Sequence, residues 1–118
     1  MDNLVNIISN LGSPKIMVIG DLMLDKYVWG EVKRISQEAP IPIINVSSED
    51  VRPGGAGSVI NNLKALGAQV FPCGIIGDDA HGHTLMGIFK QLGVETAGII
   101  VDKSRPTIMK MRFMGHLQ

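Results

Sequence analysis

The chain has 118 residues, of which 45% are hydrophobic and 19% are charged, a composition typical of one soluble domain or of a part of a larger one. Eleven basic and eleven acidic side chains cancel, so charge gives no reason to expect nucleic acid or an anionic membrane as a partner. No apolar run approaches the roughly 18 residues of a membrane-spanning helix. The one cysteine, Cys73, cannot form an internal disulfide, so we expect a protein of the reducing cytoplasm.

The first half of the chain predicts one helix, one buried strand and a less regular region. Apolar residues at helical spacing predict a helix over residues 3–11. The apolar run Lys15–Ile19 predicts a buried parallel strand that ends at Gly20–Asp21. Prolines interrupt residues 27–46, and because proline cannot donate to a central ladder, we expect edge strands outside the main sheet there. Residues 47–53 are polar and are predicted to form a loop.

The second half alternates helices and strands at short intervals. Residues 56–66 and 79–93 carry apolar side chains at helical spacing and predict two helices. Residues 70–76 and 99–101 are short apolar runs that predict two further strands, and residues 107–114 alternate as a strand with two different faces does. This alternation of strands and helices favours an α/β fold with a parallel sheet and right-handed crossovers.

Three turns are expected to meet at one edge of this sheet. Asp21 and Asp78 each follow an apolar strand, and the pair Gly54-Gly55 opens a helix. Ligands of parallel α/β sheets bind beyond the carboxyl ends of the strands, and a helix start directs its unpaired N–H groups towards them. The pattern therefore predicts a site for a polar small molecule. Asp79 is predicted to cap the helix that follows it.

Five segments carry a resemblance to a known family. They are Gly20–Tyr27, Arg34–Pro42, Arg52–Gly57, Gly74–Asp79 with Gly82, and Arg105–Lys110. Through them the chain resembles the ribokinase (PfkB) family of sugar kinases over roughly residues 15–118, and the Arg-Ile-Ser-Gln-Glu-Ala-Pro stretch points to its heptose-phosphate kinase branch. The resemblance implies a partial ribokinase-like fold, in which a parallel sheet flanked by helices carries a small β lid formed by residues 28–46 and 107–114.

The resemblance also implies where a sugar would bind. Asp25 would hold sugar hydroxyls, while Gly54 and Gly55 would let the sugar lie against the backbone. Ser58 stands where relatives usually carry asparagine, so its side chain has less reach towards the substrate. The lid would cover the sugar, and because many relatives dimerise through this surface, a homodimer is a further expectation.

Lys110 and Arg112 share one face of the strand predicted over residues 107–114. Both are permanent cations at neutral pH, so they are candidates for binding a sugar phosphate or an ATP phosphate, and an ordinary solvated strand face explains them equally well. His81 and His83 have no cysteine or carboxylate cluster to complete a metal site, so no metal ligands are expected in the chain.

The function that the resemblance implies is that of a sugar kinase of the D-glycero-D-manno-heptose 7-phosphate 1-kinase type, which uses ATP with Mg²⁺ in ADP-heptose synthesis. The family's catalytic base is an aspartate in a Gly-Ala-Gly-Asp-type segment far downstream, in the half that also binds ATP. Residues 1–118 would then be the N-terminal, sugar-facing portion of the kinase domain, with no catalytic residue and no kinase activity alone. The alternative is a non-catalytic sugar-binding or regulatory module.

Overall fold

The computed structural model describes residues 2–117, which form three helices and six strands in two separate sheets. The parallel sheet has the strand order β1-β4-β5, and the second sheet has the order β3-β2-β6. In chain order the elements are α1 (Asp2–Ser9), β1 (Lys15–Ile19), β2 (Leu22–Ile35), β3 (Pro42–Gly55), α2 (Ala56–Ala65), β4 (Gln69–Gly77), α3 (Ala80–Leu92), β5 (Ile99–Asp102) and β6 (Ile108–Leu117).

The hydrophobic core lies between one face of the parallel sheet and the helices α2 and α3. Successive side chains of a strand point to opposite faces, and Ile76 of β4 is buried in the same cluster as Ile60 of α2 and Phe89 of α3. Leu22 and Leu24 join this cluster from β2, so the core reaches the base of the second sheet. The α/β class predicted from the sequence is confirmed.

The opposite face of the parallel sheet remains apolar and open. Met17, Ile19 and Ile100 keep 66%, 74% and 61% of their surface exposed, and Ile75 keeps 38%. The register places Ile75 beside Ile100, so these side chains form a continuous strip across the sheet. Helices α2 and α3 therefore leave an apolar surface uncovered, which we call the open face.

The second sheet is built on a long hairpin. Strands β2 and β3 have 14 residues each and pair antiparallel along their whole length. Strand β6 pairs with the other side of β2 in parallel orientation. The region lies outside the parallel sheet, as predicted, but β2 is the middle strand of its own sheet, so the expectation of edge strands is wrong for β2 and holds for β3.

Residues 47–53 lie inside β3, so the loop predicted there is wrong. Ser47, Ser48 and Glu49 are exposed, because this part of the hairpin needs no apolar face and is defined by backbone hydrogen bonds to β2. A strand that is solvated on both faces has the same composition as a loop. Pro53 is compatible with β3 because an edge strand leaves one side of its backbone unpaired.

The remaining predicted helices and strands are confirmed, with ends that differ from the prediction by up to three residues. The helix α3 begins after the N-cap Asp79 and ends at Gly93, whose φ of 71° is the left-handed conformation that favours glycine at this position. A side-chain cap at the start and a left-handed glycine at the end thus determine the length of α3.

Asp79 also ties α3 to the second sheet. Its Oδ1 accepts a hydrogen bond from the N–H of Gly82 (2.8 Å), and its Oδ2 accepts one from the N–H of Thr107 (2.8 Å). The Thr107 hydroxyl accepts in turn from the N–H of Gly77 (2.9 Å). The hydrogen bonds from Thr107 and Gly82 lower the pKa of Asp79 from 3.8 to about 2. We call this arrangement the Asp79–Thr107 junction; it joins the start of β6 to the end of β4.

Candidate functional site

The side chain of Asp25 lies over Gly54 on one face of the second sheet. In the antiparallel register, Asp25 is opposite Arg52 and Met23 is opposite Gly54, so Asp25 and Gly54 share a face in neighbouring rows. A Cβ added at Gly54 would lie 2.6 Å from Cγ and 2.7 Å from Oδ1 of Asp25. The carboxylate can hold this position only because residue 54 has no side chain.

The two oxygens of the Asp25 carboxylate differ in their surroundings. Oδ2 lies 3.4 Å from Nη1 of Arg112 on β6. Oδ1 is buried and has no hydrogen-bond partner within residues 2–117. A buried polar oxygen without a hydrogen bond is unfavourable, so Oδ1 is the atom of this site that most needs a donor. The hydroxyl group of a ligand is such a donor.

The neighbours of Asp25 on the same face form an aromatic–arginine cluster of Tyr27, Trp29, Arg52 and Arg112. The rings of Tyr27 and Trp29 stack with centroids 5.6 Å apart. The guanidinium carbons of Arg52 and Arg112 each lie 5.1 Å from the centre of the Tyr27 ring. Arg112 also donates from Nη1 to the Tyr27 hydroxyl (3.1 Å). Tyr27 therefore helps to hold both arginines in place.

The sequence pattern assigned no role to Arg52 or Tyr27, although both lie in segments that carry the family resemblance. The spacing of two between Asp25 and Tyr27 was a usable signal, because it places both side chains on one face of a strand. Arg52 joins them only through the pairing of β2 with β3, and that pairing is not visible in the sequence once residues 47–53 are taken as a loop.

The diglycine sits at the junction of β3 and α2. Gly55 has φ 57° and ψ −129°, a conformation that glycine adopts and other residues avoid. The first N–H of α2, that of Ala56, donates to the backbone carbonyl of Asp21 (2.9 Å). The predicted meeting of the diglycine with the end of β1 is therefore confirmed through the backbone of Asp21. Ser58 is exposed in the first turn of α2.

Lys110 is the partner of Asp25 on the β6 side, in the same row of the sheet. Its side chain is exposed, and no ion pair with another described residue involves it. The structure thus brings Asp25, Gly54, Lys110 and Arg112 to one face of the second sheet. Gly55 and Ser58 follow at the start of α2.

Asp78 is engaged elsewhere on the surface. Its Oδ1 lies 3.1 Å from Nε2 of His83, and its Oδ2 lies 4.0 Å from Nζ of Lys103. All three side chains are exposed, so these contacts contribute little to stability. Asp78 therefore gives the site no free carboxylate.

A cavity of about 350 Å³ lies beside the carboxyl ends of the parallel strands. Asp21 and Arg105 are its charged lining residues, and apolar side chains such as Ile19 and Ile100 extend it onto the open face. Within residues 2–117 no group of three or more His, Cys, Asp or Glu side chains could hold a metal ion. No described helix is long and apolar enough to cross a membrane.

Comparison with known proteins identifies relatives of this chain. The chain is 47% identical to the bifunctional protein HldE of Wolinella succinogenes over 112 residues and 52% identical to that of Helicobacter hepaticus over 100 residues. These matches cover 95% and 85% of the chain but only 24% and 21% of the relatives, so the chain spans about a quarter of their length.

The fold has counterparts among solved structures. Arabidopsis thaliana ribokinase, solved with ribose and ATP, superposes with a TM-score of 0.67 at 21% identity, over 87% of this chain and 32% of the ribokinase. At this level of identity the likeness concerns the fold alone. The profile of the pfkB family carbohydrate kinases matches residues 13–116, which is nearly the whole sequence. The chain therefore belongs to the pfkB family of carbohydrate kinases.

Proposed function

We propose that this chain is the sugar-binding portion of an ATP-dependent sugar kinase of the D-glycero-D-manno-heptose 7-phosphate 1-kinase type, acting in ADP-heptose synthesis. The observation that carries the proposal is the Asp25 carboxylate, held over Gly54 with Oδ1 buried and without a partner among the described residues. Membership of the carbohydrate kinase family supports the reaction class. The identity to HldE proteins supports the heptose branch.

In this proposal the sugar lies against the backbone at the end of β3. One hydroxyl donates to Oδ1 of Asp25, while Oδ2 keeps its contact with Arg112. Gly54 supports the ring indirectly, because the space that a side chain would take there is filled by the Asp25 carboxylate, and Gly55 lets the backbone turn closely past the carbonyl of Asp21 into α2. Ser58 presents a hydroxyl from the first turn of α2. A hydrogen bond to a charged group is worth about 1.5–3 kcal/mol, so the loss of Asp25 would remove most of the affinity.

Phosphoryl transfer from ATP requires positioning of both substrates and stabilisation of the charge on the transferring group. The residues described here contribute the first part: they bind and orient the acceptor hydroxyls. In this proposal metal binding and the general base belong to other residues of a longer kinase, as the family resemblance implies. We accordingly expect the chain alone to bind sugar without phosphorylating it.

Calorimetric titration tests this proposal. D-glycero-D-manno-heptose 7-phosphate should bind the chain, and Asp25→Asn should weaken that binding at least tenfold because the amide cannot accept as a charged oxygen does. The matched control is Asp78→Asn, which changes an exposed carboxylate outside the site. Equal affinity of the Asp25→Asn protein would contradict the proposal, as would an absence of binding to any sugar.

The second sheet also supports a proposed homodimer. On the face opposite to Asp25, the side chains of Val51, Met111 and Phe113 are exposed, with Phe113 at 60%. Apolar side chains grouped on an exposed sheet face are typical of a protein–protein interface. Sedimentation equilibrium should show a dimer that Phe113→Glu dissociates, whereas an unchanged dimer in that variant would exclude this face.

A further inference from the structure

Arg112 can hold the Asp25 carboxylate only if β6 pairs with β2 in one particular register. Nη1 of Arg112 lies 3.4 Å from Oδ2 of Asp25, and the register places Arg112 opposite Tyr27, on the face that Asp25 shares. Successive side chains of a strand point to opposite faces. A shift of β6 by one residue would therefore turn Arg112 to the other face of the sheet, and Oδ2 would lose its cation.

The side chains of β6 specify this register only weakly. Ile108 and Met114 lie on one face of the strand, and Met111 and Phe113 lie on the other. All four are apolar and keep between 36% and 60% of their surface exposed, so the two faces are similar. Met109 packs against the hydrophobic core, but the unbranched side chain of methionine adapts to many surroundings. A strand with similar faces is prone to slip along its neighbour, so the register of β6 needs a fixed point outside the strand.

The Asp79–Thr107 junction provides such a point. Thr107, the residue directly before β6, is buried, with 5% of its surface exposed. Its N–H donates to Oδ2 of Asp79, and its hydroxyl accepts from the N–H of Gly77 at the end of β4. The same Asp79 carboxylate accepts from the N–H of Gly82 in the first turn of α3. Thr107 is therefore tied to β4 directly and to α3 through Asp79.

The junction accepts threonine and neither of its neighbours in the sequence. A Cβ added at Gly77 would lie 2.6 Å from the backbone nitrogen of Thr107, and one added at Gly82 would lie 2.8 Å from its hydroxyl oxygen, so the three segments are in close contact. A shift of one residue would bring Pro106 or Ile108 to this position. Proline has no N–H and isoleucine has no hydroxyl, so either shift would lose hydrogen bonds of the junction.

We propose that Asp79 and Thr107 are positioning residues for the sugar-binding carboxylate. The junction sets the register of β6, the register brings Arg112 to Oδ2 of Asp25, and Oδ1 is left for the hydroxyl of the ligand. Arg112 is five residues beyond Thr107, about 17 Å along the strand, so the junction acts on the carboxylate through β6. This inference rests on the proposed function, because it assumes that the carboxylate binds a sugar.

The test is calorimetric titration of the chain with D-glycero-D-manno-heptose 7-phosphate. Asp79→Ser keeps an N-cap for α3, because serine caps helices as well as aspartate does, but its single oxygen cannot also accept from Thr107. This variant should bind the sugar phosphate on the order of 10-fold more weakly, the effect of one hydrogen bond to a charged group. Thr107→Val removes the hydroxyl and should also weaken binding, whereas Thr107→Ser keeps the hydroxyl and should retain the affinity.

A double-mutant cycle with Arg112→Gln shows whether Asp79 acts through Arg112. Arg112→Gln removes the cation from Oδ2 of Asp25 and should itself weaken binding. If the junction acts by placing Arg112, Asp79→Ser should cause little further loss in the Arg112→Gln background. A merely structural role would leave the affinity unchanged or reduce it by the same factor in both backgrounds.

The matched control for stability is Ile60→Val. This change shortens a fully buried core side chain of α2 and should lower the midpoint of unfolding while leaving the affinity for the sugar phosphate unchanged. Circular dichroism on the same samples shows which variants are folded at the temperature of the titration. If Asp79→Ser does not fold, the comparison of Thr107→Val with Thr107→Ser decides the question.

The outcomes are distinct. If Asp79→Ser and Thr107→Val bind the sugar phosphate as tightly as wild type, the positioning role is wrong and the proposed function stands. If Asp79→Ser weakens binding equally with and without Arg112, the junction does not act through that residue and the inference is overturned. If wild-type protein does not bind the sugar phosphate, the proposed function fails, and the positioning role fails with it.

Discussion

Replacing Gly54 with alanine tests whether the position of the Asp25 carboxylate matters for binding. The added Cβ would lie 2.7 Å from Oδ1, against an ordinary contact of at least 3.4 Å, so the carboxylate must move by about 0.7 Å or more. The movement displaces the oxygen proposed to accept the sugar hydroxyl. Loss of one hydrogen bond to a charged group costs about 1.5–3 kcal/mol, which weakens sugar binding by about 10- to 150-fold.

The same substitution should have little effect on folding. Asp25 can move its short side chain towards solvent, and alanine restricts the unfolded chain more than glycine does, which offsets part of the strain. We expect the free energy of unfolding to change by less than about 1 kcal/mol, as measured by urea denaturation. The expected signature is therefore a folded protein with impaired sugar binding in calorimetry.

The matched control is Gly87→Ala. No heavy atom lies within 4 Å of a Cβ added at Gly87, which is in the interior of α3. This change should stabilise the fold by roughly 0.5–1 kcal/mol and leave sugar affinity unaltered. A Gly54→Ala protein that binds sugar as tightly as wild type would refute the assignment of Asp25, whatever its stability.

Three further predictions concern stability and association. Gly55→Ala should destabilise the chain by roughly 1–3 kcal/mol. The reasons are that φ 57° is unfavourable for alanine and that the added Cβ would lie 2.5 Å from the Asp21 carbonyl oxygen. An unchanged midpoint of urea denaturation would contradict this geometry. The pKa of Asp79 is lowered from 3.8 to about 2, so its stabilising contribution is complete above about pH 4 and is lost as the pH falls towards 2. Asp79→Ala should therefore lower the melting temperature at pH 7, and between pH 4 and 2 its melting temperature should fall less than that of wild type. Parallel profiles of melting temperature against pH would exclude this role. Because the open face is apolar, light scattering should show that the wild-type chain associates. The double variant Ile19→Lys with Ile100→Lys should associate less and keep its melting temperature. A monodisperse wild-type monomer would contradict the expectation.

The sequence predicted best the elements whose signals are local. The limits of α3 follow from Asp79 and Gly93, which act within one turn of the helix, and β4 follows from a short apolar run that is buried on one face. The segment 47–53 failed because its strand is stabilised by pairing with β2, which is distant in sequence, while its solvated side chains look like those of a loop. The amino-acid composition of a segment indicates how far its side chains are buried, and few side chains of this strand are buried.

The candidate site also combines features that local sequence signals indicate with features that depend on strand pairing. The diglycine was found from its place at the start of a helix and Asp25 through the family resemblance, but the position of the carboxylate over Gly54 depends on the register of a 14-residue hairpin. Arg52 stayed unassigned for the same reason, whereas the spacing of two between Asp25 and Tyr27 could have placed Tyr27 on the same face of the strand. That Oδ1 has no hydrogen-bond partner among residues 2–117 depends on what surrounds one oxygen atom in three dimensions, and no spacing rule contains that information.

The Asp79–Thr107 junction holds the residue immediately before β6, so a tilt of the second sheet with this junction as its pivot would displace the near end of the sheet least. The ten residues of β6 extend about 33 Å from this point at about 3.3 Å per residue. A rotation of about 10° around the pivot would move the far end of the strand by about 6 Å, but the row of Asp25 and Lys110, three residues from Thr107, by less than about 2 Å. The row of Asp25 and Lys110 therefore lies close to the anchored end of the second sheet, where a tilt of the whole sheet would displace the carboxylate least.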